Sequence, residues 1–117
     1  MEGLLQALKC TDDVNQKRIC GLYGAAAKQE GAKHNSDWQS TQTLYWQGLT
    51  MDRHGEAYQQ FIDRAYRALL DQSIAFQTAL RESGQRILRH KIGSKDRKNT
   101  VLTEREFTRR LYALRDL

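Results

Sequence analysis

The clearest pattern of hydrophobic and polar positions lies in the middle of the chain, between His54 and Leu70. Its hydrophobic residues recur at the spacing i, i+3, i+4, i+7, i+8, i+11 and i+12: Tyr58, Phe61, Ile62, Ala65, Tyr66, Leu69 and Leu70. Because an α-helix has about 3.6 residues per turn, this spacing places them on one face. The pattern therefore predicts an amphipathic helix over 54–70 that buries this face.

Capping residues and shorter hydrophobic patterns predict three helices before this one. Thr11, Asp12 and Asp13 interrupt the first hydrophobic run, and their side chains are suited to accept hydrogen bonds from the free N–H groups of a new helix. The three predicted helices are one over 3–10, one through Ile19, Leu22 and Ala25–Ala27 that ends before Gly31, and one that begins at Ser36 or Asp37 and reaches Leu49.

Two further helices are predicted after the central one. Ser73 caps the first of them, and Gly84 is suited to the left-handed conformation that ends it. Thr103 and Glu106 have the spacing of a capping box, in which each side chain bonds to the other residue's backbone N–H, and they begin the last helix. The remaining predicted features are a short buried strand at Ile87-Leu88, a loop over 91–99, and an inward face of the last helix formed by Phe107, Leu111 and Leu114.

These patterns predict a mostly α fold with five or six helices and at most a small β element. The chain of 117 residues is long enough for one domain with its own core, and it contains no proline, which fits a mostly helical fold. Its 39% hydrophobic and 28% charged residues are typical of a soluble protein, and no window is apolar enough to span a membrane. Cys10 and Cys20 lack the spacing of a zinc site, so we expect reduced thiols in a cytoplasmic protein and no metal. We also expect no cofactor.

The net charge of +5 comes entirely from the C-terminal part of the chain. Residues 81–110 contain ten Lys and Arg side chains against four Asp and Glu, whereas the rest of the chain carries nine basic and ten acidic residues. Concentrated positive charge attracts anions, so it favours a phosphate-bearing partner such as a nucleotide or a nucleic acid. A solvated basic loop without such a partner is the alternative.

Aromatic residues cluster between Trp38 and Trp46, where flat ring faces are available for stacking against a base. The residues that share one face of the predicted third helix are Trp38, Gln42, Tyr45 and Leu49. Such a stripe is also typical of a buried core. Trp46 lies off the stripe, and the nearby Gly48 permits close approach of a ligand, so Trp46 is expected to line a pocket.

His90 stands between Arg89 and Lys91 in the basic part of the chain. Like charges disfavour the protonated imidazolium, so a neutral His90 is suited to donate or accept a hydrogen bond near an anionic ligand. A histidine at the sheet edge that packs against the last helix is the alternative interpretation.

The first helix carries three polar residues on one face, because Glu2, Gln6 and Lys9 are four and three residues apart. The run Gln6-Ala-Leu-Lys9 resembles the Gln-Ala-x-Lys helix of the NADAR family, in which a preceding glutamate belongs to the active site. Further similar motifs follow in the same order: Ile19–Ala27 with Gly31, Trp38, Tyr58–Leu70, Ala79–Gly84, Leu88–His90, Asn99 with Leu102, and Leu111–Arg115. By this order the chain resembles a single NADAR-like domain over 1–117.

The resemblance implies hydrolysis of an N-glycosidic bond in an ADP-ribosylated guanine or a related phosphorylated riboside. Such a reaction passes through a cationic ribosyl state, which a carboxylate stabilises. The resemblance makes Glu2 the catalytic carboxylate, and Lys9 contacts phosphate or acts on the ribose. The residues expected to bind the ligand are Trp38, Trp46, Arg89, His90, Lys91 and Asn99, of which the three at 89–91 neutralise the diphosphate.

Two other functions are compatible with the sequence. NADAR-family members usually have a segment with a Ser-Asn-Phe-type motif before the glutamate helix, whereas this chain begins at that helix. The difference favours a catalytically inactive nucleotide- or partner-binding protein, such as a phage or host-defence factor. The basic segment 81–110 favours direct binding of nucleic acid, which weakens steeply with added salt. Neither function requires a membrane, and the oligomeric state is left open.

Overall fold

The computed structural model describes residues 1–88 and 95–117. Within these ranges the chain forms seven helices and one two-stranded sheet, which confirms the predicted mostly α class with a small β element. The elements are α1 Glu2–Ala7, α2 Asp13–Cys20, α3 Gly24–Lys33, α4 Trp38–Thr41, β1 Thr43–Trp46, β2 Leu49–Asp52, α5 Glu56–Gln72, α6 Ile74–Glu82 and α7 Glu104–Arg115. They divide into two compact units, Met1–Gly55 and Glu56–Leu117. That the whole chain is a single domain stays a prediction.

Two glycines allow α1 to pack closely against α2 and α3 in the first unit. A Cβ atom at Gly3 would lie 2.5 Å from the backbone carbonyl oxygens of Cys20 and Leu22, which is too close for any side chain. At Gly31 a Cβ atom would instead meet the side chain of Gln6, whose Cβ would lie 2.9 Å away. The close approach of the backbones therefore holds the short α1 helix, together with the buried Ala7 and with Leu8, the buried residue that follows the helix.

The predicted second helix is in fact two helices. Asp12 caps α2 as expected, and its carboxylate accepts a hydrogen bond from the backbone N–H of Val14 at 3.2 Å. The helix ends at Cys20, and α3 starts at Gly24, whose φ of +51° lies in the left-handed region that glycine adopts without strain. The prediction of one continuous helix was wrong because hydrophobic spacing does not reveal a turn between two helices of similar pattern.

The predicted third helix ends after one turn, and a β-hairpin follows it. Gln42 has a φ of +54°, which stops α4, and the chain then pairs Thr43–Trp46 with Leu49–Asp52 in antiparallel register. Gln47 and Gly48 form the two-residue turn with positive φ at both positions, the geometry that matches the twist of paired strands. The prediction of a helix to Leu49 was therefore wrong.

The second unit is built around the amphipathic helix predicted from the sequence. That helix, α5, buries Tyr58, Ile62 and Tyr66 from the predicted stripe. The ring of Tyr66 lies edge-on to Phe107 of α7, with 6.1 Å between the ring centroids. The periodicity thus identified both the helix and its buried face.

The predicted caps of α6 and α7 are confirmed. Ser73 accepts a hydrogen bond from the N–H of Phe76 at 3.1 Å, and Gly84 is left-handed with a φ of +57°. At the start of α7, the Glu106 carboxylate accepts from the Thr103 N–H at 2.9 Å, and the Thr103 hydroxyl accepts from the Glu106 N–H at 3.2 Å. These local bonds fix where both helices begin.

The prediction of a buried strand at Ile87-Leu88 was wrong. Residues 86–88 have no regular secondary structure, and Ile87 is 77% exposed. The N–H of Leu88 donates to the hydroxyl of Tyr112 at 2.7 Å, so this backbone group bonds to a side chain and not to a neighbouring strand. No helix in residues 1–88 or 95–117 combines the length and the apolar composition that a membrane span requires.

Candidate functional site

The polar face predicted on α1 is present as a chain of hydrogen bonds. Gln6 Nε2 donates to Glu2 Oε1 at 2.9 Å, and Lys9 Nζ donates to Gln6 Oε1 at 3.1 Å. Gln6 therefore links the carboxylate to the amine, as the four- and three-residue spacing predicted. Burial lowers the pKa of the Lys9 amine, an effect that the negative charge of Glu2 partly opposes.

We expect the Lys9 amine to titrate below its usual value of 10.5, and Glu2→Gln to lower its pKa further by removing the opposing charge. Because the folded-state pKa lies below the unfolded-state value, stability should increase as the pH rises from the folded-state pKa towards 10.5. Nuclear magnetic resonance of the lysine side chains measures the titration directly. Lys9→Met serves as the control that removes this increase. An unchanged or raised Lys9 pKa in Glu2→Gln would contradict the assignment.

The two tryptophans have different environments. Trp38 is only 2% exposed at the start of α4, so it belongs to the core of the first unit. Trp46 is half-buried at the end of β1 and lines a cleft of about 610 Å³, and its role in ligand binding stays a prediction. The residues that line this cleft are Asp13, Gln16, Lys17, Cys20, Gly21, Trp46 and Gln47.

Gln16, a residue that no sequence pattern singled out, fixes the position of the hairpin beside α2. Its side chain is 4% exposed, and Nε2 lies 3.1 Å from the carbonyl oxygens of Ala7 and Cys10 and 2.8 Å from that of Tyr45. Its Oε1 accepts a hydrogen bond from the N–H of Gln47 at 3.0 Å. One amide thus connects the end of α1 to the hairpin. No local signal marks it, because its partners are distant in sequence.

The other predicted ligand residues fall in the second half of the chain. Asn99 is exposed in a turn, where its N–H donates to the carbonyl oxygen of Asp96 at 3.0 Å. Arg89, His90 and Lys91 lie outside the described residues. The ligand-binding roles of all four stay predictions.

A basic cleft of about 420 Å³ lies in the second unit, at the start of α7. Its lining residues are Lys95, Arg97, Thr103, Arg105, Glu106 and Arg109. The single carboxylate, on Glu106, is 3% exposed and already accepts hydrogen bonds from Gln59 and from the Thr103 N–H. Arg97 Nε lies 3.9 Å from it. Within residues 1–88 and 95–117, the other three cations of the cleft make no ion pair.

A buried network holds α7 against α5 beneath this cleft. Arg110, which is 4% exposed, donates through Nη1 to the carbonyl oxygen of Glu106 at 3.0 Å and through Nη2 to Gln59 Oε1 at 2.6 Å. Its Nε lies 2.8 Å from Asp63 Oδ1, a close ion pair without hydrogen-bond geometry. Arg110 is thus buried and hydrogen-bonded within the fold, whereas Arg105 and Arg109 on the same helix are exposed.

Nothing in the described part of the chain is arranged as a metal centre, since no group of three or more His, Cys, Asp or Glu side chains there could hold an ion. Cys10 and Cys20 are free thiols. Among the clefts of the described residues, the one beside Trp46 and the basic cleft combine volume with side chains suited to bind a ligand.

Comparison with known proteins shows that the chain is similar to phage proteins. The family model described as bacteriophage protein GP30.3 matches residues 1–116. A protein of Enterobacteria phage T4, described as an uncharacterized 17.1 kDa protein in the Gp30-rIII intergenic region, is 38% identical over 117 residues, which is 99% of this chain and 76% of the relative. No solved structure matches the chain.

These matches show that the resemblance to the NADAR family was wrong. The polar face of α1 has a local explanation, because Glu2, Gln6 and Lys9 bond to one another along a single helix. Short motifs of this kind occur in any amphipathic helix and do not specify a family. The expected N-glycosidase activity rested on that resemblance and has no support in the matches.

Proposed function

Since the chain belongs to the bacteriophage protein GP30.3 family, we propose that it is a phage binding protein whose basic cleft holds the phosphate backbone of a nucleic acid. The observation that carries the proposal is the convergence of Lys95, Arg97, Arg105 and Arg109 on one cleft with a single, already bonded carboxylate. The proposed function is binding, without a chemical step.

The arrangement of the cations supports an anionic ligand. Arg105 and Arg109 are one helical turn apart, and like charges at this spacing destabilise a helix by about 0.2–0.5 kcal/mol. Lys95 adds a third cation from the preceding segment. Lys95, Arg105 and Arg109 make no ion pair within the described residues, and the Glu104 carboxylate lines an adjoining cleft with Lys95 and Arg105. Positive charges that exceed the nearby carboxylates repel one another, and a bound phosphate removes that repulsion.

The extent of the charge favours a polymer over a single phosphate. Residues 81–110 carry ten basic and four acidic side chains, more positive charge than one phosphate neutralises. A nucleic acid presents a row of phosphates, and each cation that contacts one releases condensed counterions. Affinity should therefore fall steeply as the salt concentration rises.

The test compares two double variants with the same change in charge. Arg105→Gln with Arg109→Gln removes cations from the cleft, and Lys28→Gln with Arg64→Gln removes exposed cations of α3 and α5 that lie outside the cleft and outside 81–110. Fluorescence anisotropy with labelled single-stranded DNA, duplex DNA and RNA at several salt concentrations gives the affinity and its salt slope. We expect the cleft variant to bind at least about tenfold more weakly and to lower the salt slope by about 2, whereas the control keeps both.

Circular dichroism first establishes that both variants are folded. Solvated charges farther than a Debye length of about 8 Å from the phosphates are screened, so the control variant should lose little affinity. Equal losses in the two variants would show that the charge acts as a diffuse field. That result, or an absence of binding at the lowest salt concentration, would overturn the proposal.

A further inference from the structure

The cleft beside Trp46 belongs to the first unit and shares no residue with the basic cleft. Its volume of about 610 Å³ falls in the range of small-molecule sites, which is about 300–1,000 Å³. One wall is formed by α2, and the other by Trp46 and Gln47 at the hairpin turn. The cleft has the size for a ring system rather than for a single ion.

Trp46 supplies an aromatic surface in this wall. It is half-buried, so part of the indole is held by the fold and part reaches the cleft. An indole offers a large flat face on which planar rings stack in offset geometry. On the opposite wall Gly21 has no side chain, which leaves the width of the cleft open. This geometry suits a flat ligand.

The polar groups of the cleft suit a neutral ligand with hydrogen-bonding edges. Asp13 and Lys17, one helical turn apart on α2, contribute one charge of each sign. Burial raises the pKa of the Cys20 thiol, an effect that the positive charge of the N-terminal amine partly opposes, so the thiol adds no charge at neutral pH. Gln47 adds a side-chain amide. The charges of Asp13 and Lys17 cancel, which leaves the nearby N-terminal amine as a single excess charge, and donors and acceptors are both present.

The walls of the cleft are fixed before any ligand arrives. Gln16 bonds to the carbonyl oxygen of Tyr45 at 2.8 Å and to the N–H of Gln47 at 3.0 Å, and these two residues flank Trp46. The backbone on both sides of Trp46 is therefore anchored to the buried Gln16 of α2. A preformed site loses less conformational freedom on binding than one that must be ordered.

We propose that this cleft binds an uncharged, planar nitrogen heterocycle of the nucleobase class, stacked on Trp46 and hydrogen-bonded at its edge by Asp13, Lys17 or Gln47. The inference goes beyond the binding of phosphates, because it concerns other residues and a different part of the ligand. It therefore stands or fails independently of the basic cleft.

The test uses nucleosides, which carry no phosphate. Adenosine, guanosine, cytidine and uridine are titrated into the ¹⁵N-labelled full chain, and ribose alone is the control. The two indole N–H signals are assigned with Trp46→Phe, which removes the signal of Trp46. We expect at least one nucleoside to shift the Trp46 signal saturably, with a smaller effect on Trp38, which is buried in the core.

A blocking variant shows whether the cleft itself is the site. A Cβ atom at Gly21 would lie 3.6 Å from its nearest neighbour, the carbonyl oxygen of Arg18, and Gly21 has a φ of −86° that any residue adopts. Gly21→Leu is therefore expected to fold while its side chain fills the cleft. Ala25→Leu, at an exposed position of α3 outside the cleft, is the matched control.

We expect Gly21→Leu and Trp46→Ala to weaken nucleoside binding at least about tenfold, and Ala25→Leu to leave it unchanged. Amide spectra establish that each variant is folded. Full affinity in folded Gly21→Leu would overturn the cleft as the site, and the absence of a saturable shift with any nucleoside at millimolar concentration would overturn the proposal itself. Neither result depends on Arg105 or Arg109.

Discussion

Replacing Gln16 with alanine is expected to lower the free energy of unfolding by about 3 kcal/mol or more. The side chain is 4% exposed and serves the carbonyl oxygens of Ala7, Cys10 and Tyr45 and the N–H of Gln47. A buried polar group left without a partner costs about 1–3 kcal/mol. The alanine variant removes the Gln16 bonds of the Cys10 and Tyr45 carbonyl oxygens and of the Gln47 N–H, whereas the Ala7 carbonyl keeps the N–H of Cys10. The loss is a large part of the total stability of an ordinary domain, which is about 5–15 kcal/mol.

Urea denaturation followed by circular dichroism measures this change, and Gln29→Ala provides the matched control. Gln29 is exposed on α3, so the same truncation there should change stability by less than about 0.5 kcal/mol. In the Gln16 variant, the amide signals of Trp46 and Gln47 should also move, because the hairpin loses its anchor on α2. Similar midpoints for the two variants would contradict the role of Gln16.

Gly3→Ala is expected to destabilise the protein by about 1–3 kcal/mol, the usual range for overpacking, even though alanine favours helices more than glycine does. The added Cβ would lie 2.5 Å from the carbonyl oxygens of Cys20 and Leu22 and 2.7 Å from that of Ile19. All three neighbours are backbone atoms, so no side chain can rotate away. Either α1 or the end of α2 must move to make room.

Gly21→Ala is the matched control for this effect. Its Cβ would meet only the carbonyl oxygen of Arg18, at 3.6 Å, an ordinary van der Waals distance. The same substitution should therefore be neutral or stabilise the protein by up to about 1 kcal/mol. Thermal unfolding of both variants checks the prediction. If Gly3→Ala is as stable as Gly21→Ala, α1 does not pack as closely as described.

Local patterns predicted the elements whose stabilising contacts are close in sequence. The stripe of α5 reflects the helical period, so Tyr58, Ile62 and Tyr66 were recognisable as core residues from their spacing alone. The caps at Asp12, Ser73 and Thr103 were equally accessible. Each such cap depends on a hydrogen bond to a backbone N–H two or three residues further along the chain.

The hairpin could not be predicted in the same way, because its segment fits two patterns. Trp38, Tyr45 and Leu49 have helical spacing, yet Thr43–Trp46 is also rich in residues that favour strands. The strand is favoured by distant partners: the N–H of Tyr45 donates to the carbonyl oxygen of Leu8 at 2.9 Å, and its own carbonyl accepts from Gln16. Contacts of this kind leave no periodic signal in the local sequence.

In the candidate sites too, some features follow from the local sequence and others only from the fold. The sequence alone indicated the excess of positive charge over 81–110 and the link between Glu2, Gln6 and Lys9, because both follow from composition and helical spacing. It did not separate Arg110, buried in a network with Gln59, from the exposed Arg105 and Arg109.

The sequence by itself determined the helical class, the main amphipathic helix, the helix caps and the location of the charge. Only the tertiary structure decided where α2 ends, that a hairpin replaces a helix, and which arginines line a cleft. The physical reason is the range of the interactions. Caps and helical faces depend on neighbours within about one turn. The hairpin and the clefts depend on groups that folding brings together from distant positions, such as Gln16 and Tyr45.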